Sequence, residues 1–101
     1  IYHPLFEQHN PGYGHPESPL RVKRIYAYLK NNGFLRRLSE IIPQAAGKQQ
    51  LALIHDVSYI QKILRLNGKE HAILDGCDTV LNAHSVEAAL FAAGAGITAV
   101  N

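Results

Sequence analysis

The chain has 101 residues, 47% of them hydrophobic, and a formal net charge of +2. This length allows one domain or part of one, the apolar fraction excludes a disordered composition, and the charge is too small to imply a nucleic-acid partner. No apolar run approaches the roughly 20 residues needed to cross a bilayer.

Residues 1–6, "IYHPLF", read as a short strand. Tyr2 and Phe6 suit a pleated surface, while Pro4 lacks a ladder donor and limits the length. Residues 7–17 carry Pro11, Gly12, Gly14 and Pro16 with aromatic and charged residues between them, the composition of an ordered loop. A helix begins at Ser18-Pro19. Serine is a good cap, and proline suits the first turn because its missing N–H would be unpaired there anyway. Val22, Ile25, Tyr26 and Leu29 then recur at helical spacing, and Asn32-Gly33 supplies a stop. A helical turn over residues 35–38 follows.

Residues 40–50, "EIIPQAAGKQQ", contain Pro43 and Gly47 and read as irregular. Leu51, Leu53 and Ile54 form a short apolar segment for which strand and helix both stay open. Asp56 is placed to cap a helix carrying Tyr59, Ile60, Ile63 and Leu64, which stops near Asn67-Gly68. Residues 67–84 read as a polar loop around "LDGCDT". Ser85 then caps the last helix, and Glu87 in its first turn suits the helix dipole. Ala88, Ala89, Ala92, Ala93, Gly94, Ala95 and Gly96 give this helix small sides, so it is expected to pack deeply. The chain holds no methionine and its last helix meets no clear stop, so the expectation is a piece of a longer protein.

The residues that carry chemistry are sparse. His3, His9, His15, His55, His71 and His84 invite a metal, but no two share a helix face with a glutamate and there is no cysteine pair. They read as surface or hydrogen-bonded histidines. The single cysteine, Cys77, excludes an internal disulfide framework and fits a reducing, cytoplasmic setting. Its aspartate neighbourhood would raise a thiol pKa, so it reads as incidental and not as a nucleophile. Lys23, Arg24, Lys30, Arg36 and Arg37 read as a solvated basic face. Arg21 stands apart, because it lies in the first turn of a helix, where the dipole disfavours a cation. That conflict points to a tertiary role. For Asp75 and Asp78, turn stabilisation and contact with a ligand both stay open.

"GHPESPLRVKRIYAYLKNNGF" resembles the first loop and helix of the histone deacetylase family, which includes bacterial acetylpolyamine amidohydrolases and acetoin-utilisation proteins. "IYHPLFEQH", "LALIHDVSYIQKI" and "LDGCDTVLNAHSVEAALFAAGAGITAV" resemble further stretches of the family in the same order, so the likeness spans essentially all 101 residues. It implies an α/β protein: the N-terminal portion of a three-layer α/β/α arginase/deacetylase fold with a parallel sheet. This segment itself would be mainly helical with one or two short strands. The implied activity is zinc-dependent removal of acetyl from acetyl-lysine, an acetylpolyamine or a related acetylated amine. The tandem histidines, Asp–x–His ligands, further aspartate and tyrosine of the family come later in such chains. The resemblance therefore assigns no catalytic residue and no zinc ligand here, and the segment alone is expected to be inactive.

By position, Arg21 matches the arginine that lines the family's acetate exit channel, where a fixed cation would suit a carboxylate product. His15, Pro16 and Glu17 match the pocket wall. Asp78 matches the rim aspartate that accepts hydrogen bonds from substrate amides, with Asp75 competing for that match. The implied partner is an acetylated amine or acetyl-lysine substrate, with no direct nucleic-acid contact and no membrane. A sheet lacking most of its strands would leave edges and apolar faces open to self-association. A non-catalytic interaction or regulatory module is the alternative, and the first-loop motif argues against arginase-like ureohydrolase chemistry.

Overall fold

The computed structural model describes residues 1–76 and 78–101. The expectation for Cys77 therefore lies outside the described residues. The opening segment corrects the first expectation, since Pro4–Glu7 is a 3-10 helix and not a strand. The His3 ring accepts the Leu5 N–H at 3.2 Å through Nδ1, and Pro4 has no N–H to leave unpaired. His3 thus acts as the cap for a turn that Pro4 begins.

Helix α1 (Pro19–Asn31) forms where expected. Ser18 has extended backbone angles and its hydroxyl accepts the Leu20 N–H at 3.2 Å, a cap that contributes about 1 kcal/mol. After Asn32 the chain turns through Gly33, whose φ of 70° suits a residue without Cβ. A 3-10 turn over Phe34–Arg37 follows. Helix α2 (Lys48–Leu51) is a single turn, and the Gln50 side chain reaches back to the Gly47 N–H at 2.8 Å. The apolar "LALI" stretch is thus helical turn and not strand. Helix α3 (Val57–Leu64) starts after Asp56, but the Asp56 carboxylate makes no capping bond, contrary to expectation.

The stretch expected as a polar loop, residues 67–84, holds two short strands among its described residues. Strands β1 (Ala72–Ile73) and β2 (Val80–Leu81) pair antiparallel, with Ala72 opposite Leu81 and Ile73 opposite Val80. The segment is mainly helical with two short strands, as the resemblance implied. Its sheet among the described residues is this antiparallel pair, so the parallel sheet of a three-layer fold is not displayed.

Helix α4 (Ser85–Val100) carries much of the core. Ala46, Ile60, Leu81, Val86 and Ala88 are buried, and Val86 is only 2% exposed. The irregular segment 43–46 lies across α4 as a strap. Pro43 and Ala46 are buried, and the Ala46 N–H donates to the Leu90 carbonyl at 2.9 Å. Gly94 sits directly beneath this strap, where a Cβ would come within 1.7 Å of the Gln44 carbonyl oxygen. The N-terminal segment that leads into the Pro4–Glu7 turn joins α1 to α4. Tyr2 stacks on Tyr26 of α1 with ring centres 4.2 Å apart, and His3 stacks on Phe91 of α4 at the same spacing.

The expected deep packing of α4 holds for one side only. Val86, Ala88 and Gly94 are buried, whereas Ala89, Ala92 and Ala93 are exposed where they line an open cleft, and Gly96 is exposed further along the helix. The molecule is a slab of 43 × 36 × 18 Å. Its radius of gyration of 14.9 Å exceeds the ~13 Å of a compact chain of this length. Large apolar side chains accordingly stay in water, among them Ile42, Leu53 and Ile54.

Candidate functional site

The cleft has a volume of about 690 Å³ and an apolar floor. Ile60 and Ile63 of α3 and Ala88, Ala89 and Ala92 of α4 supply the floor, at the helical spacings that put them on one side. One rim comes from the glycine–proline loop and the head of α1, which bring His15, Glu17 and Arg21. The facing rim comes from the β1–β2 hairpin, which brings Asp78 and Thr79. Four of the five residues singled out from the sequence thus border one cleft. Pro16 is exposed and does not line it.

The polar contacts at this rim are specific. Arg21 Nη2 donates to Glu17 Oε1 at 2.7 Å. The pair is solvated, with side chains 66% and 41% exposed, so it contributes at most about 0.5 kcal/mol. Glu17 also answers the dipole conflict at Arg21, because it sets a carboxylate beside a cation that the helix start disfavours. The cation is therefore already partnered, and an anion at this rim meets a guanidinium shared with Glu17. His15 joins the two rims. Its Nδ1 accepts the Glu17 N–H at 3.0 Å, and its Nε2 lies 2.9 Å from the Asp78 carbonyl oxygen.

The two aspartates differ in what their carboxylates do. Asp75 Oδ1 accepts the Thr79 N–H at 3.1 Å and Oδ2 accepts the Thr79 hydroxyl at 2.7 Å. Its carboxylate closes the hairpin turn, which is the turn-stabilising reading. The Asp78 side chain is exposed on the cleft rim, and its carboxylate holds no hydrogen bond or ion pair with the described residues.

A second polar cluster was not legible in the sequence. Ser85 was read as a cap, but His84 occupies the cap position and the buried Ser85 hydroxyl turns back toward residue 82. Ser85 Oγ accepts the Asn82 N–H at 2.8 Å, donates to Asn82 Oδ1 at 2.7 Å, and lies 2.8 Å from His9 Nδ1. The hydroxyl has one proton, and Asn82 Oδ1 takes it, so His9 Nδ1 is the donor in the third contact. Ser85 is therefore hydrogen-bonded to capacity, and His9 is not arranged to activate it as a nucleophile. Asn82 Nδ2 also donates to the Gln8 carbonyl at 2.8 Å, so the cluster ties the N-terminal segment to the base of the hairpin. The partners are more than 70 residues apart, and no sequence pattern announces them.

Tyr2 and Tyr26 lie away from the cleft. Burial, followed by the hydrogen bond to Glu7, pushes the Tyr2 hydroxyl up to about 12. Burial and the Glu40 carboxylate raise Tyr26. As for metal binding, no three histidine, aspartate or glutamate side chains converge into a ligand set among the described residues. His3 packs on Phe91, His9 bonds Ser85 and His15 bonds Asp78, so these three are engaged in the fold itself.

A family model described as histone deacetylase domain matches residues 15–101. The match begins at His15 and takes in both rims of the cleft and its floor. Comparison with curated proteins and with solved structures gives no match. No helix among the described residues is long and apolar enough to cross a membrane.

Proposed function

The chain belongs to the histone deacetylase family, and from that premise we propose that it forms one wall of the substrate pocket of an amidohydrolase acting on acetylated amines. One observation carries the reading: the head of α1 and the hairpin, although 63 residues apart where His15 meets Asp78, face each other across one cleft. The Asp78 carboxylate is the group that accepts N–H donors from an acetyl-lysine peptide, an acetylpolyamine or a related acetylated amine. The apolar floor receives the methylene chain of such a substrate. Arg21 meets the acetate product, and Glu17 holds the guanidinium in place while competing with that anion.

Zinc is the cofactor that family membership implies, and it supplies a Lewis acid when bound. The described residues do not fit it, because they bring no ligand set together. The bond-breaking step is therefore not assigned to this chain, whose part is binding and orientation within a larger deacetylase domain. The test uses that whole enzyme, with acetate release from an acetyl-lysine peptide as the readout. Arg21→Ala should lower turnover several-fold and leave zinc content unchanged. Unchanged kinetics would remove Arg21 from the product path.

The alternative is a non-catalytic interaction module. The exposure of Leu53 (81%) and Ile54 (83%) favours it, since such side chains mark contact surfaces when they cluster. A whole protein that binds partners but releases no acetate would decide for that reading.

A further inference from the structure

A continuous polar path runs from α1 to the hairpin through His15. Proton bookkeeping fixes the roles along it. The Glu17 N–H is a donor, so His15 Nδ1 carries the lone pair; the Asp78 carbonyl is an acceptor, so Nε2 carries the proton. Both contacts require the same neutral Nε2–H tautomer, so each bond prepares the ring for the other. At one end of the path, the Glu17 carboxylate holds Arg21 at 2.7 Å. At the other, the Asp78 carbonyl also accepts the Val80 N–H at 3.1 Å, at the residue where β2 begins.

The hairpin needs such a tether. Each of its strands has two residues, far too few to be stable on their own. Its base is held by the Asn82 bond to the Gln8 carbonyl. Its turn is closed internally by the two bonds from Thr79 to Asp75 and by the Leu74 N–H donating to the Thr79 carbonyl at 3.0 Å. These bonds tie residues 74, 75 and 79 together, so a tether on the neighbouring Asp78 carbonyl bears on where they sit. At its own end the His15 ring is held by the Glu17 N–H at 3.0 Å, and its backbone makes a longer contact within the loop. Gly12 and Gly14 have φ of 117° and 79°, values other residues rarely adopt, and they bring the His15 N–H to within 3.4 Å of the Gly12 carbonyl.

We infer that His15 is a positioning residue for Asp78: its imidazole latches the tip of the β1–β2 hairpin to the head of α1 and so aims the Asp78 carboxylate into the cleft. The inference rests on the reading of Asp78 as the substrate-facing group. It gives His15 no contact with the reacting atoms and no metal.

Two substitutions separate the two bonds. In His15→Asn the amide oxygen replaces Nδ1 as acceptor for the Glu17 N–H, but the side chain ends short of Asp78. In His15→Gln the amide nitrogen reaches the place of Nε2 and donates to the Asp78 carbonyl. In the whole enzyme, His15→Asn should raise KM for an acetyl-lysine peptide roughly tenfold, the scale of one lost hydrogen bond, with the loss falling mainly on KM and not kcat. His15→Gln should recover most of that loss. Amide exchange at Thr79 and Val80 supplies a readout independent of catalysis: roughly tenfold faster in His15→Asn and largely restored in His15→Gln. Equal damage from both substitutions would mean the ring acts by packing, and wild-type exchange in His15→Asn would mean there is no latch. Either result overturns the inference. Should the wild-type enzyme release no acetate, the deacetylase reading fails, and amide exchange still decides the latch.

Discussion

Gly94→Ala tests the packing on which the site stands. The residue lies in the interior of α4, where alanine normally improves a helix by about 1 kcal/mol over glycine. Here the added methyl would meet the Gln44 carbonyl oxygen at 1.7 Å and the Ala46 nitrogen at 2.9 Å. Both are backbone atoms, so no side-chain rotation relieves the clash, and the strap must retreat by well over an ångström. That retreat breaks the Ala46 N–H bond to the Leu90 carbonyl, at a cost of about 1 kcal/mol. Overpacking a close contact costs about 1–3 kcal/mol more. The losses exceed the propensity gain, so the net effect is a destabilisation of about 1–3 kcal/mol. For a unit of this size that lowers Tm by roughly 4–8 °C per kcal/mol. Gly96→Ala is the matched control: a Cβ there meets nothing within 4 Å, so only the propensity gain remains and Tm should rise slightly. Thermal unfolding followed by far-ultraviolet circular dichroism reads both. A Gly94→Ala protein as stable as wild type, or two substitutions shifting Tm in the same direction, would refute the tight strap over α4.

Three further outcomes follow from the same geometry. Because the Tyr2 hydroxyl is held up to about 12, the folded state keeps a proton that the unfolded state gives up near 10. The stability this contributes is fully present below pH 10 and is lost as pH rises from 10 to 12. Tyr2→Phe should make unfolding less pH-dependent across that window, and an unchanged alkaline slope would contradict the half-buried Tyr2–Glu7 pair. Asp75→Asn replaces a charged acceptor for two bonds from Thr79, so amide exchange at Thr79 should quicken roughly five- to tenfold; wild-type protection would show that the turn does not depend on the carboxylate. The 101-residue chain alone, supplied with zinc, should release no acetate from an acetyl-lysine peptide, and turnover would show that it holds a complete centre.

Local signals in the sequence identified local structure well. Ser18-Pro19 started α1 and Gly33 ended it with φ of 70°, whereas α3 stops at Leu64 with Arg65 as its cap, short of the expected Asn67-Gly68, and the Gly68 N–H donates to the Ala83 carbonyl instead. Both α1 signals depend on a few adjacent residues and on backbone geometry that proline or glycine fixes. "IYHPLF" misled because its aromatic residues suit a strand, whereas Pro4 after a capping His3 starts a 3-10 turn. The hairpin escaped notice because two-residue strands are too short for alternation to register. Ser85 has the composition of a cap, yet Asn82 and His9 compete for its hydroxyl.

The candidate site divides along the same line. Arg21, His15, Glu17 and Asp78 were singled out by resemblance, and the structure brings them to one cleft. Their couplings were not legible, because the His15–Asp78 bond spans 63 residues and depends on how the elements pack. The difference between Asp75 and Asp78 was not legible either: the Asp75 carboxylate takes two hydrogen bonds from Thr79, while Asp78 is exposed and borders the cleft.

The most direct test of the central claim is the peptide kinetics of Asp78→Asn in the whole enzyme. If this chain is the pocket wall of a deacetylase, the wild type releases acetate from an acetyl-lysine peptide. The substitution should then raise KM roughly tenfold, with zinc content unchanged. A wild-type protein without acetate release, or an Asp78→Asn enzyme with wild-type KM, would contradict it.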